Sequence, residues 1–151
     1  MGDMTAVVEQ TQPNNLRFDT KVAVLLRDDL PAWQRLNVTA FLVSGIAGSN
    51  AELIGEPYTD GDGVDYLPML RQPVLVLEGD AGLIKTAHER ALRRELAMSI
   101  FTADLFGTGN DADNRAAVAG VGTSDLDLVG IAVHGPRNAV DRTLKGAHMH
   151  P

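Results

Sequence analysis

Apolar and polar positions alternate along this chain in blocks that read as strands and amphipathic helices in turn. Lys21 to Leu26 (KVAVLL) is a short, continuous apolar run rich in Val and Leu, the pattern of a strand covered on both faces. It is expected at the centre of a sheet. After the turn Arg27-Asp28-Asp29-Leu30-Pro31, a helix is predicted over Ala32 to Ala47, with Val38, Leu42 and Ile46 spaced onto one face. Pro31 suits its start, where a missing N–H costs nothing, and Gly48 marks its exit. Pro73 to Leu77 is a second buried run. Asp80 then provides an N-cap for a helix from Ala81 to Leu96, with Leu83, Ala87 and Ala91 on one stripe.

Met98 to Thr102 reads as a third strand, Asp104 to Thr108 as a loop, and Asn110 as the cap of a short helix reaching Val118. Leu126 to Val133 is a fourth strand. The last helix has Pro136 in its first turn, Val140 and Leu144 facing inward, and Gly146 beyond its end. Between the first helix and the second strand, Ile54 to Met69 carries Asp60-Gly61 and Asp62-Gly63, the chemistry of a tight reversal, so a small irregular hairpin is expected there. Residues 1 to 18 are polar, without helical or strand period, and read as a flexible arm before a single α/β domain over 19–151. The element order predicts a mixed or parallel sheet sandwiched between helices.

Composition narrows the class. With 151 residues, 44% hydrophobic and 22% charged, the chain fits one folded domain. The absence of cysteine excludes disulfides, thiolate metal sites and thiol nucleophiles, and fits a reducing cytoplasm, which is the expected location. No run is long enough to span a membrane. A net charge of -7 argues against nucleic acid and anionic membranes as partners.

Ligands of open α/β sheets bind beyond the carboxyl ends of the strands. That rule gathers the Arg27 to Asn37 turn, the Thr102 to Thr108 loop and His134 around one expected crevice. Asp28 and Asp29 stand at a helix start, where they would serve as caps or face a ligand. Trp33 could stack on a planar ligand or cover the sheet. Asn37 and Thr39 offer uncharged hydrogen bonds, and Arg115 offers a fork for a carboxylate or a partner for Asp111. Other chemistries lack support. His148 and His150 have no third ligand for zinc, Asp60 to Asp65 departs from a calcium loop at Val64 and Asp65, and no serine lies in a nucleophile elbow. No glycine pattern makes a phosphate loop, so no metal and no cofactor is expected.

Five blocks carry a resemblance to a known family: KVAVLLRDDLPAWQRLNVTAFLVSGIAG (21–48), IGEPYTDGDG (54–63), QPVLVL (72–77), FTADLFGTGNDADNRAAV (101–118) and DLDLVGIAVHGPRNAVDRTLKG (125–146). Together they resemble the family called domain of unknown function two thousand, whose members have the fold of type II peptidyl-tRNA hydrolases. The resemblance implies a three-layer α/β/α sandwich on a mixed sheet of about four strands. Asp29 and Leu30 match the acidic-Leu turn of the hydrolases, and Asp104 is the counterpart of the Asp after their third strand. Their lysine positions carry residues such as Gln34 and Asn37, and Phe41 and Ser44 stand near their Gln and His. The expected function is a small-ligand-binding or regulatory domain on this scaffold. The alternatives are a diverged hydrolase, with Asp29, Asn37 and Asp104 polarising water, and a homo-oligomeric interaction module built on exposed helix faces.

Overall fold

The computed structural model describes residues 18–151. The segment read as an arm lies outside the described residues except for Phe18. The first apolar run forms β1 (Thr20–Arg27), and α1 (Ala32–Ser49) follows it. The reversal forms a two-stranded hairpin, β2 (Tyr58–Thr59) and β3 (Asp65–Tyr66). Then come β4 (Val74–Gly79), α2 (Ala81–Arg93), β5 (Ala97–Thr102), α3 (Asp111–Ala119), β6 (Leu128–Pro136), α4 (Arg137–Thr143) and β7 (His148–Met149).

The main sheet is mixed, in the order β5-β6-β1-β4-β7. β1 lies parallel to β4 and antiparallel to β6, while β5 and β7 add antiparallel edges. The sheet therefore has five strands where about four were expected. The extra one is the two-residue β7, whose His148 and Met149 have no strand-like apolar pattern and pair only because the chain returns to β4.

Alternation along β1 decides the layers. Val22, Val24 and Leu26 pack with Val38, Leu42 and Ile46 of α1 on one face. Ala23 and Leu25 pack with Ile84, Ala87 and Ala91 of α2 and Val140 and Leu144 of α4 on the other. Both faces of a parallel-paired strand are thereby covered, which is why β1 reads as an unbroken apolar run.

α1 sits low on the sheet because two glycines permit it. A Cβ at Gly130 of β6 would lie 3.0 Å from Val38, 3.1 Å from Leu42 and 3.2 Å from Leu26. One at Gly45 of α1 would lie 3.1 Å from the Cβ of Ser99, whose hydroxyl donates to the Leu42 carbonyl at 2.7 Å.

The end of α2 moved for a local reason. α2 ends at Arg93 rather than Leu96, because Glu95 adopts a left-handed φ of 54° and the N–H groups of Glu95 and Leu96 bond back to the carbonyls of Leu92 and Ala91. This is a Schellman stop built without glycine, hence invisible in the sequence. Its buried stripe runs through Ile84, Ala87, His88 and Ala91, while Leu83 instead fills the space beside Gly79 and Gly146. The predicted caps hold: Asp80 accepts from the Leu83 N–H at 2.8 Å and Asn110 from the Asp113 N–H at 2.8 Å.

Gly130→Val should overpack the α1 seat and destabilise the protein by about 2 kcal/mol, lowering the melting temperature by roughly 4 to 8 °C. Thermal denaturation measures this, and an unchanged melting point would contradict the seating. His88 supplies a second expectation, because burial holds its imidazole below the ordinary pKa of 6.5 despite the nearby Glu89 carboxylate. The unfolded chain therefore takes up this proton first as the pH falls, so stability present above pH 6.5 is lost as the pH drops through the folded value. Melting temperatures between about pH 7 and about pH 5 should fall more steeply in the wild type than in His88→Gln.

Candidate functional site

The carboxyl ends of β1, β4 and β5 lie at one end of the sheet, where the antiparallel β6 begins. Here the chain turns from β1 into α1. Arg27 closes this end with two carboxylates: its Nε donates to Asp29 at 2.7 Å and its Nη1 to Asp127 at 3.3 Å, and these partners raise its already high pKa against the opposing effect of burial. Asp28 is held by its backbone, with its N–H bonded to the Gly79 carbonyl at 2.9 Å and its own carbonyl accepting from Arg35.

Beside this turn a crevice of about 340 Å³ opens between α1 and the segment from Phe101 to Asn114. Aromatic rings dominate its wall. Trp33 meets Phe106 edge-on at 6.0 Å, Phe106 packs on Phe101 at 5.1 Å, and Phe101 packs on Phe41 at 5.9 Å. These contacts fall within the range of favourable aromatic pairs. The polar groups on the wall include Asn37, Thr108 and Asn114, and the Thr108 hydroxyl is bonded to the Asn114 side chain and the Leu105 carbonyl. The crevice runs on along α1 into a wider groove of about 600 Å³ that reaches Ser44, Ser99 and Arg115. Arg115 forms an i, i+4 ion pair with Asp111 on the surface of α3, a kind of pair that contributes little to stability.

The structure thus brings together Trp33, Asn37, Thr108 and, along the groove, Arg115, but not all the expected residues. His134 is carried to the opposite end of the sheet, because β6 runs antiparallel to β1 and pairs His134 with Val22 and Ala97. Thr102 is buried beneath the loop. Asp104 is exposed on the first turn after β5 and is not among the residues lining the crevice. Asp29 is engaged with Arg27, and Thr39 faces the other flank of α1.

That other flank holds residues that sequence reasoning missed. A cavity of about 460 Å³ lies between α1 and β4, walled by Leu26, Ala32, Leu36, Ala40 and Val76, with Thr39, Arg35 and Glu78 as polar groups and His150 closing one side. The Glu78 side chain is 3% exposed, and its Oε2 lies 2.8 Å from Arg35 Nη1. The approach is off-axis, so Oε2 has a charge contact without an aligned donor. Arg35 also donates from Nε to the Leu30 carbonyl at 2.8 Å and from Nη2 to the Asp28 carbonyl at 2.9 Å. One guanidinium therefore ties α1 to the β1–α1 turn and to β4. The only sequence trace of this is a glutamate interrupting the apolar run VLVLEG. Among the described residues no group of three or more His, Asp or Glu side chains could hold a metal ion, and no helix is long and apolar enough to cross a membrane.

The chain belongs to the family described as protein of unknown function, DUF2000, which matches residues 20–151. It is similar to a solved protein of unknown function from Agrobacterium tumefaciens strain C58, at 44% identity with a TM-score of 0.87, over 89% of this chain and 100% of that one. No curated protein matches it.

Removing one member of the buried pair should expose its cost. Arg35→Met leaves the Glu78 carboxylate uncompensated and is expected to destabilise the protein by about 3 kcal/mol, while the double variant Arg35→Met with Glu78→Leu should recover most of that loss. Chemical denaturation of the single and double variants checks both values.

Proposed function

We propose that this member of the DUF2000 family is a binding domain for a small, largely apolar and planar ligand, held in the aromatic crevice between α1 and the Phe101 to Asn114 segment. The observation that carries the reading is the wall itself. Trp33, Phe41, Phe101 and Phe106 line it together with the amides and hydroxyl of Asn37, Asn114 and Thr108. Stacking surfaces combined with a few neutral donors and acceptors suit recognition. The ligand class is an uncharged ring system bearing amide, carbonyl or hydroxyl groups.

Proton-transfer chemistry has less support. A general acid or base must reach the reacting atom. The one carboxylate among the crevice-lining residues is Asp111, at the rim and paired with Arg115, while Asp29 at the neighbouring turn pairs with Arg27. The scaffold belongs to the same proposal: three layers on a mixed sheet are what a kinship with type II peptidyl-tRNA hydrolases implies. The hydrolase's charged groups are replaced here by Gln34 and Asn37 on α1. A peptidyl-tRNA substrate would also meet a chain of net charge -7. A cytoplasmic site of action fits a chain without cysteine.

Screening neutral heterocycles, nucleobases and aromatic amides at about 1 mM, a concentration that still detects binding near -4 kcal/mol, should yield compounds that raise the melting temperature and perturb Trp33 fluorescence. Asn37→Ala is expected to weaken such a ligand about tenfold, the value of one neutral hydrogen bond of about 1.4 kcal/mol, without changing the melting temperature of the free protein. If no compound of this class shifts either signal, the reading fails.

A further inference from the structure

Ala32, Arg35, Leu36, Thr39 and Ala40 recur at helical spacing and form one stripe of α1, beside the stripe of Val38, Leu42 and Ile46 that faces the sheet. This stripe borders the cavity of about 460 Å³ over β4. The space exists because α1 lies over β5, β6 and β1, whereas β4 is the next strand out in the sheet. Alternation along β4 turns Val74, Val76 and Glu78 to the α1 side, so the floor is apolar until it meets one carboxylate. His150 walls one side, and its N–H donates to the Val76 carbonyl at 3.4 Å.

We propose that this cavity is a second ligand site, separate from the aromatic crevice, for an uncharged aliphatic molecule that ends in a hydroxyl group. The polar groups of the wall set that chemistry. The Glu78 side chain is 3% exposed, yet among the described residues its Oε2 has no aligned hydrogen-bond donor. A carboxylate placed so deeply with acceptor capacity unspent is costly, and a donor from a ligand relieves that cost. Thr39 adds a second acceptor, because its hydroxyl hydrogen goes to the Arg35 carbonyl at 2.7 Å and its lone pairs remain. Arg35 spends Nε and Nη2 on the carbonyls of Leu30 and Asp28 and sets Nη1 against Glu78. The site therefore calls for a donor and has little to offer an anion.

Charge selects among donors. Arg35 and Glu78 already cancel, so an ammonium entering the cavity would add an unbalanced cation beside a guanidinium, at a desolvation cost that nothing on the wall offsets. A hydroxyl donates without that cost. The wall selects the rest of the molecule, since Leu26, Ala32, Leu36, Ala40 and Val76 are aliphatic and, among the described residues, no Trp, Phe or Tyr borders the space. A water can satisfy the carboxylate but not this apolar wall. The volume of about 460 Å³ falls within the ligand-sized range of about 300 to about 1,000 Å³. A buried ion pair is a poor stabiliser beside apolar side chains of like volume, so a ligand that uses the carboxylate accounts for a glutamate in this apolar run better than stability does.

Titrating the full chain with n-hexanol while recording backbone amide NMR signals should give saturable shifts at Thr39, Ala40, Val76 and Glu78 with a Kd of about 1 mM, and no shifts at Thr108 and Asn114 of the aromatic crevice. Methoxypentane, an isomer of hexanol without a donor, should bind at least about tenfold more weakly, as should hexylammonium and hexanoate. Each methylene added between n-butanol and n-hexanol should tighten binding about fourfold. Ala40→Phe fills the cavity from an exposed helix position and should abolish the shifts with the fold retained. The paired variant Arg35→Met with Glu78→Leu keeps an apolar cavity and should bind hexanol and methoxypentane equally. Equal affinity of the wild type for those two ligands overturns the proposal, as does tighter binding of hexylammonium or hexanoate. Shifts confined to the aromatic crevice, binding undiminished in Ala40→Phe, or no saturable shift below about 20 mM overturn it as well.

Discussion

The close seating of α1 on the sheet is the constraint on which the rest of this protein depends. Gly130 removes the side chain that would stand between β6 and the Val38–Leu42 turn, and Gly45 lets the helix backbone come down onto Ser99. The Ser99 hydroxyl then bonds the Leu42 carbonyl, a group that in a helix already accepts one intrahelical bond. A close-packed interior tolerates little change in volume. The helix therefore has one position available, and its two flanks are fixed with it.

Those flanks form the walls of two cavities. On one side the descent of α1 brings Trp33, Asn37 and Phe41 against Phe101, Phe106 and Thr108 to form the aromatic crevice. On the other it lowers Arg35 onto Glu78 and onto two carbonyls of the β1–α1 turn. A carboxylate that is almost wholly buried is costly unless its counter-ion is held in place, and Arg35 is fixed by both its helix and the turn. The pair thus serves to lock the start of α1, and the crevice inherits that rigidity.

Charge is distributed unevenly around this frame. The hairpin tip is acidic and internally bonded: Tyr66 donates to Asp60, which also accepts the N–H groups of Asp62 and Val64, and these bonds hold its carboxyl below the ordinary value. The strand-end turn pairs Asp29 and Asp127 with Arg27. The outer face of α1 has no charge at all. On a chain of net charge -7, this uncharged face lies on the helix that walls both the aromatic crevice and the Arg35–Glu78 cavity.

Local patterns carried the framework. The double-faced apolar run of β1, the N-caps at Asp80 and Asn110, and the Asp-Gly steps of the hairpin all act over a few residues, so reading them in order gave the alternating elements, the central strand and the three layers. Of the site, Trp33, Asn37 and Thr108 were legible because they lie at the strand ends where α/β sheets present ligands. The rest depended on partners far apart in sequence. His134 went to the wrong end because nothing local states that β6 runs antiparallel, β7 forms only where β4 offers an edge, and Glu78 has meaning only once Arg35 lies above it. The sequence by itself determined which segments become strands and helices, since propensity, capping and periodicity are short-range. Tertiary structure alone decided which side chains share a cavity, because strand direction and helix seating are settled by packing between distant segments.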